Sequence, residues 1–278
     1  MIEVAAITFD FGNTLARVDR AGSRQVIAAT ALELMDAGIV ADRAAFLAAW
    51  SEERDRQFRE EVPLLREVDV EQRAVRVLAR LRGMAVPREA ERWDDAAAAP
   101  FATADEVALV VDAYSRAFIA NVSPVDDAFS TLQRLSADGY RLGILSNWPL
   151  ALTIDQFAEA QGWLPFLDAI VVSQRVGTIK PHPTIFRAAE AALGMGQRPE
   201  DILHVGDDWA ADVVGARGAG WRVAYLRGRQ DDTPLPTSAR GDSSGGEQVT
   251  TADVEIDELS ELAPHLRLAA SPAGSARA

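Results

Sequence analysis

The sequence predicts an α/β fold, a doubly wound parallel sheet with a block of helices inserted near its start. Short apolar runs recur through the second half of the chain, each followed by a segment of helical periodicity. One further apolar run stands alone near the N-terminus, and residues 19–120, which contain no convincing strand, separate it from the next.

The first run, residues 3–9, reads as a buried strand that delivers Asp10 into a tight Gly12-Asn13 turn. Residues 19–120 are rich in Ala, Leu, Glu and Arg. Apolar residues recur there at helical intervals, as in Val26, Ala29, Leu32 and Met35, or Phe46, Leu47 and Trp50, so the segment reads as a separate helical cap on the active edge. Strands follow at 141–145, 169–172, 202–205 and 221–226, alternating with helices at 126–138, 150–160, 183–193 and 208–219. That alternation implies a parallel sheet covered on both faces. The polar, Gly/Ser/Pro-rich stretch 229–251 is expected to be a flexible insertion; 254–256 reads as a last strand, 258–266 as a closing helix, and 269–278 as a disordered tail. The core domain is therefore placed at 1–18 and 121–268, and the cap at 19–120.

Composition excludes several classes. With 48% hydrophobic residues over 278 positions, the chain can bury a substantial core. Its longest apolar runs fall far short of the roughly 20 residues of a membrane span. The start lacks a basic region followed by an apolar core, so a cytoplasmic location is expected. The absence of cysteine excludes disulfides and thiolate metal sites. A net charge of −14 argues against duplex nucleic acid, and a phosphorylated ligand would need a local positive centre or a metal. A monomer or homodimer is expected.

Four separated elements each place polar groups after an apolar strand or at a helix start. They are Asp10; Ser146-Asn147; Lys180-Pro181; and Gly206-Asp207-Asp208 with Asp212. The carboxyl ends of parallel strands lie at one edge of a sheet, so these groups should converge. Together they suit phosphoryl transfer. Carboxylates hold magnesium, a lysine screens two anions from each other, and an aspartate attacks phosphorus. Lys180 is the only lysine in the chain, and a compact ammonium serves such a point contact better than arginine.

The order Asp10…Thr14, Ser146, Lys180, Gly206-Asp207…Asp212 resembles the four motifs of the haloacid dehalogenase (HAD) superfamily, with its Rossmann-like core and a helical (C1) cap inserted after the first motif. The resemblance implies a magnesium-dependent hydrolase, a phosphatase acting on a small phosphorylated metabolite through an aspartyl-phosphate. It makes Asp10 the nucleophile. Ser146 and Lys180 would bind the transferring group, with an added amide contact from Asn147, and Thr14 matches the first-motif threonine. Asp10, the Gly12 carbonyl and Asp207 would hold magnesium, while Asp212 would support the metal's waters or orient Lys180.

Gly12 departs from the pattern. Phosphatases of this family usually carry a second aspartate there, which protonates the leaving group; such help is typically worth about 10²–10⁴ in rate. Acyl and aryl phosphates, whose leaving groups need no proton, would suffer least. A weakened relative that binds a phospho-ligand or protein partner without efficient turnover is the alternative. The family's dehalogenases carry a bulky aromatic at this position and lack a metal, and its phosphonate-cleaving members use a cap lysine, which this chain does not have. Outside the motifs, Trp50, Arg54, Arg56, Arg59, Arg66 and Trp93 read as packed tryptophans and solvated arginines, Trp148 and Trp209 as packing residues, His182 as a loop residue, His204 as a core histidine, and His265 as exposed.

Overall fold

The computed structural model describes residues 1–88, 93–196, 198–228, 232–236 and 251–269. The chain forms two compact units, one made of Met1–Asp19 with Ser123–Ala278, the other of Arg20–Val122.

Among the described residues, ten strands lie in the first unit: β1 (Ile2–Val4), β2 (Ala6–Phe9), β3 (Ala16–Arg17), β4 (Ser123–Pro124), β5 (Arg141–Ser146), β6 (Ala169–Val172), β7 (Ile202–Gly206), β8 (Arg222–Leu226), β9 (Val254–Ile256) and β10 (Leu266–Leu268). Six of them form one sheet in the order β6-β5-β2-β7-β8-β9, with every neighbouring pair parallel. The chain runs outward from β2 through β5 to β6, then crosses back to β7, so the order reverses at the β2–β7 pair. Ligands of open α/β sheets bind at such a reversal, beyond the carboxyl ends of the strands. Strands β2 and β7 are buried along their whole length, which explains why they read as apolar runs interrupted only by Thr8 and His204. Short β3 and β4 pair antiparallel where the chain leaves the first unit and returns to it.

Several elements differ from expectation. The single strand predicted at 3–9 is two: Ala5 bonds Asp201 and Arg141 through its main chain, while β1 leaves the sheet and pairs in parallel with β10. No closing helix spans 258–266. Short 3-10 turns at Leu259–Glu261 and Ala263–His265 stand there instead, the second holding Pro264, which has no N–H to donate, and the chain then extends into β10. Beyond it Ala269, read as the first residue of a tail, donates to Val4 O at 2.8 Å. The helix predicted at 208–219 opens with a π-turn, Trp209–Val214, before a short α-helix, Gly215–Gly218. Most of the predicted insertion (229–231 and 237–250) and residues 270–278 lie outside the described residues.

The second unit contains helices Arg20–Asp36, Arg43–Glu61, Val70–Leu81, Asp95–Ala98 and Ala104–Asn121, and no strand among its described residues. Their starts are written in the sequence. Asp42, Asp69 and Asp94 accept from main-chain N–H groups in the first turns, and Thr103 with Glu106 closes a capping box. In the first helix the buried stripe is Val26, Thr30, Ala31 and Leu34, whereas Leu32 and Met35 are exposed. The predicted stripe stepped by three residues throughout and drifted off a helix of 3.6 residues per turn. No helix among the described residues is long and apolar enough to cross a membrane.

Candidate active site

Strand β2 ends at Phe9, and the Asp10 N–H continues its ladder by donating to Val205 O at 2.8 Å. The chain then turns sharply. Asn13 adopts a left-handed conformation (φ 59°), which asparagine tolerates better than most residues, and its Oδ1 accepts from the Val18 N–H. Gly206 closes β7, and Asp207 follows it on the neighbouring strand of the reversal. Asp208 caps the π-turn through the Ala211 N–H, and that turn carries Asp212 back over the strand end. A Cβ at Gly206 would lie 2.2 Å from Asp212 Oδ2, so only glycine leaves room for this carboxylate.

Lys180 ties these elements together. Its buried Nζ donates to Asp10 Oδ1 at 2.8 Å, Asp212 Oδ1 at 2.7 Å and Leu145 O at 2.8 Å, which uses all three ammonium protons. Leu145 precedes Ser146, the buried last residue of β5. Asn147 spans the lysine's main chain, its Oδ1 accepting from Lys180 N at 2.6 Å and its Nδ2 donating to Lys180 O at 3.1 Å. The amide expected on phosphate is thus engaged in placing the lysine. Thr14 Oγ1 points at Asp207 Oδ1, 3.4 Å away.

One ligand oxygen from each of Asp10, Asp207 and Asp212 lies within 4.8 Å of the others. Against these three acids stands one ammonium. Burial raises the Asp207 pKa well above the ordinary carboxylate value, and Asp10, Asp212 and Asp208 push it further. Burial also raises Asp10, partly offset by Lys180. For Asp212, the Lys180 charge and the His204 hydrogen bond outweigh burial and hold its pKa well below the usual range. Lys180 itself is pulled down by burial, but Asp10 and Asp212 overcome this and raise it. A cluster of hard oxygen donors with surplus negative charge could hold a hard divalent cation.

Two contributors, and the threonine that supports the first, were missed in the sequence. His204 Nε2 lies 3.0 Å from Asp212 Oδ1, and its Nδ1 lies 2.8 Å from Thr8 Oγ1. Both interrupt apolar strands two residues before a motif residue, and that interruption was the available signal. Leu235 is the other, since a Cβ at Gly12 would lie 2.8 Å from its Cδ1.

The remaining candidates pack or cap. Trp50, Trp93, Trp148 and Trp209 are buried, and His182 Nδ1 accepts from the Thr184 N–H. Arg56 pairs with Glu53 and Glu60, Arg54 with Asp55, and Arg66 with Glu61.

The family model for haloacid dehalogenase-like hydrolases matches residues 4–220. Among curated proteins, a glyceraldehyde 3-phosphate phosphatase of Methanopyrus kandleri is 33% identical over 56% of this chain and 62% of its own length. A ribulose-1,5-bisphosphate 5-phosphatase of Halopiger xanaduensis is 28% identical over 54% of this chain and 60% of its own. The match thus spans about three fifths of these relatives. Among solved structures, a 2-haloacid dehalogenase from Pseudomonas syringae superposes with a TM-score of 0.60 at 19% identity, covering 95% of this chain and 97% of that one, a likeness of fold.

Proposed function

The chain belongs to the haloacid dehalogenase-like hydrolase family, and from that membership and the geometry at Asp10 we propose that it is a magnesium-dependent phosphatase acting on a small phosphorylated metabolite through an aspartyl-phosphate. The carrying observation is the Lys180 ammonium held between Asp10 and Asp212, within a cluster of three carboxylates. Fully ionised, that cluster keeps two negative charges beyond what Lys180 neutralises, which fits one Mg2+ held by Asp10, Asp207 and the Gly12 carbonyl. Bound there, magnesium would neutralise phosphoryl oxygens and orient the substrate.

An Asp10 carboxylate oxygen attacks phosphorus, and the bond to the leaving oxygen breaks with its electron pair. Lys180 offsets the repulsion between the two anions during this approach. Water then attacks the acyl-phosphate at phosphorus, releasing inorganic phosphate and restoring the Asp10 carboxylate. Ser146, the last residue of β5, would donate its hydroxyl to the phosphoryl group. Asp212 is engaged on both oxygens, by Lys180 and His204 on one and the Asp208 N–H on the other, so it orients the lysine.

The names of the curated relatives point to small phosphorylated sugars. Such alkyl phosphates need a proton on the leaving oxygen, and Gly12 offers none, so acyl and aryl phosphates are the favoured substrates. The expected result is magnesium-dependent phosphate release from acetyl phosphate and an aryl phosphate, lost by at least about 10³-fold in Asp10→Asn. Failure to turn over any of these with bound magnesium would overturn the reading.

A second reading is a protein that binds a phospho-ligand or a partner without efficient turnover. Leu235 favours it, because an apolar side chain fills the space beside Gly12. Retained binding of a phosphate analogue without turnover would select it. The ligand of the enzyme reading is small and phosphorylated, neither reading involves a nucleic acid, and the proposed place of action is the cytoplasm.

A further inference from the structure

Strands β2 and β7 run parallel with Thr8 directly opposite His204, and both side chains are buried. Thr8 Oγ1, the His204 ring and the Asp212 carboxylate form a continuous hydrogen-bonded chain that ends on the Lys180 ammonium. The tautomer follows from the endpoints. A carboxylate oxygen only accepts, so the proton sits on Nε2; burial favours the neutral ring, leaving Nδ1 to accept from the Thr8 hydroxyl.

The structure assigns His204, supported by Thr8, a positioning role: its Nε2–H holds the Asp212 carboxylate and thereby sets where Lys180 sits relative to Asp10. Packing alone does not call for an imidazole here. Phe186 and Trp221 meet the ring edge-on at centroid distances of 6.2 and 6.4 Å, and an apolar side chain would fill that space without burying polar atoms. What only a donor supplies is a proton on the same Asp212 oxygen that receives Lys180. The two donors compete for Oδ1. With the imidazole N–H in place, Asp212 draws the ammonium less strongly, so Lys180 stays shared with Asp10; without it, the lysine leans toward Asp212.

The role in catalysis rests on the reading of Asp10 and Lys180 as the working pair, so the test has a readout that does not need turnover. Because Lys180 is the only lysine, 15N-lysine labelling yields a single Nζ resonance. Histidine 15N NMR reports the tautomer in the same full-length chain. The informative variants are His204→Gln, whose amide nitrogen can reach the Nε2 position, and His204→Asn, whose amide reaches only the Nδ1 position. Wild type should show the neutral Nε2–H tautomer and a Lys180 Nζ signal protected from solvent exchange. His204→Gln should keep that signal and most of kcat. His204→Asn should shift or broaden it and lower kcat about 10–100-fold with little change in KM. Thr8→Val should keep the Nε2–H tautomer, which Asp212 fixes, but loosen the ring and broaden its 15N signals, and Thr8→Ser should not.

An Nδ1–H tautomer, or a Lys180 resonance identical in the two His204 variants, overturns the assignment. Equal kcat in His204→Gln and His204→Asn at equal melting temperature overturns it as well. If wild type releases no phosphate from any substrate, the phosphatase reading fails while the resonances still decide the positioning chain.

Discussion

Gly12 and Leu235 divide one small volume between them. A Cβ built on Gly12 lies 2.8 Å from Leu235 Cδ1 and 3.8 Å from Val18 Cγ2, so the obstacle to a side chain is the tip of a flexible leucine rather than backbone. Gly12→Asp alone should therefore give a small gain in alkyl phosphate hydrolysis, limited by how far Leu235 can rotate. Combined with Leu235→Ala the gain should reach about 10²-fold, while aryl phosphate turnover changes little. Steady-state kinetics on one alkyl and one aryl phosphate test this; a folded, magnesium-binding double variant with no alkyl gain would remove the leaving-group argument. At this scale the sequence told much. Asp10, Lys180, Asp207 and Asp212 all meet where strand logic placed them. The engagement of Asn147 with the lysine's main chain was hidden, because a side chain's partner across 33 residues leaves no trace in local pattern.

Elements were legible in proportion to how locally they are determined. The central strands stood out because both faces are buried and the runs are apolar but for Thr8 and His204. The break at Ala5 did not, since β1 is drawn away by β10 from the opposite end of the described chain. The stretch 258–266 has helix-like composition, yet Leu259 is buried in one short turn and Leu262 between it and a second turn that holds Pro264. The end of β7 offers the sharpest test of an element's geometry. A methyl at Gly206 would meet the Asp212 carboxyl carbon at 2.3 Å, which no rotation of a buried, thrice-bonded carboxylate relieves. Gly206→Ala should keep the strand and displace Asp212, weakening magnesium binding by about 10-fold or more. Calorimetric titration with magnesium, alongside circular dichroism, separates these effects, and unchanged affinity would mean that Asp212 has no part in ordering the site.

The site repeats the charge imbalance of the entire molecule, where 42 acidic residues face 28 basic ones. That links stability to pH and to metal with a definite sign. Asp207 and Asp10 have folded pKa values above their unfolded ones, so the folded state binds extra protons and their contribution to stability fades as pH climbs through the raised values. Asp212 works oppositely: its depressed pKa contributes stability above the normal carboxylate range, lost only in strong acid. Lys180 is raised and stays charged throughout. As pH climbs through the raised carboxylate values, then, these two groups should lower the melting temperature of the metal-free protein, while buried His204, whose pKa is lowered, contributes in the opposite sense. Magnesium replaces the lost protons as counter-charge and should stabilise more at pH 8 than at pH 5. At about 100 times its Kd it adds roughly 2.7 kcal/mol, or about 5 °C in Tm for a chain of this size. Asp207→Asn removes one of the crowded charges, so the metal-free variant should lose much of the pH slope while its response to magnesium collapses. Differential scanning calorimetry with EDTA and with magnesium, at both pH values, reads all four corners. An equal magnesium shift in Asp207→Asn would place the cation elsewhere, and a metal-free pH slope left unchanged by Asp207→Asn would mean that the crowded carboxylates are already relieved within the fold.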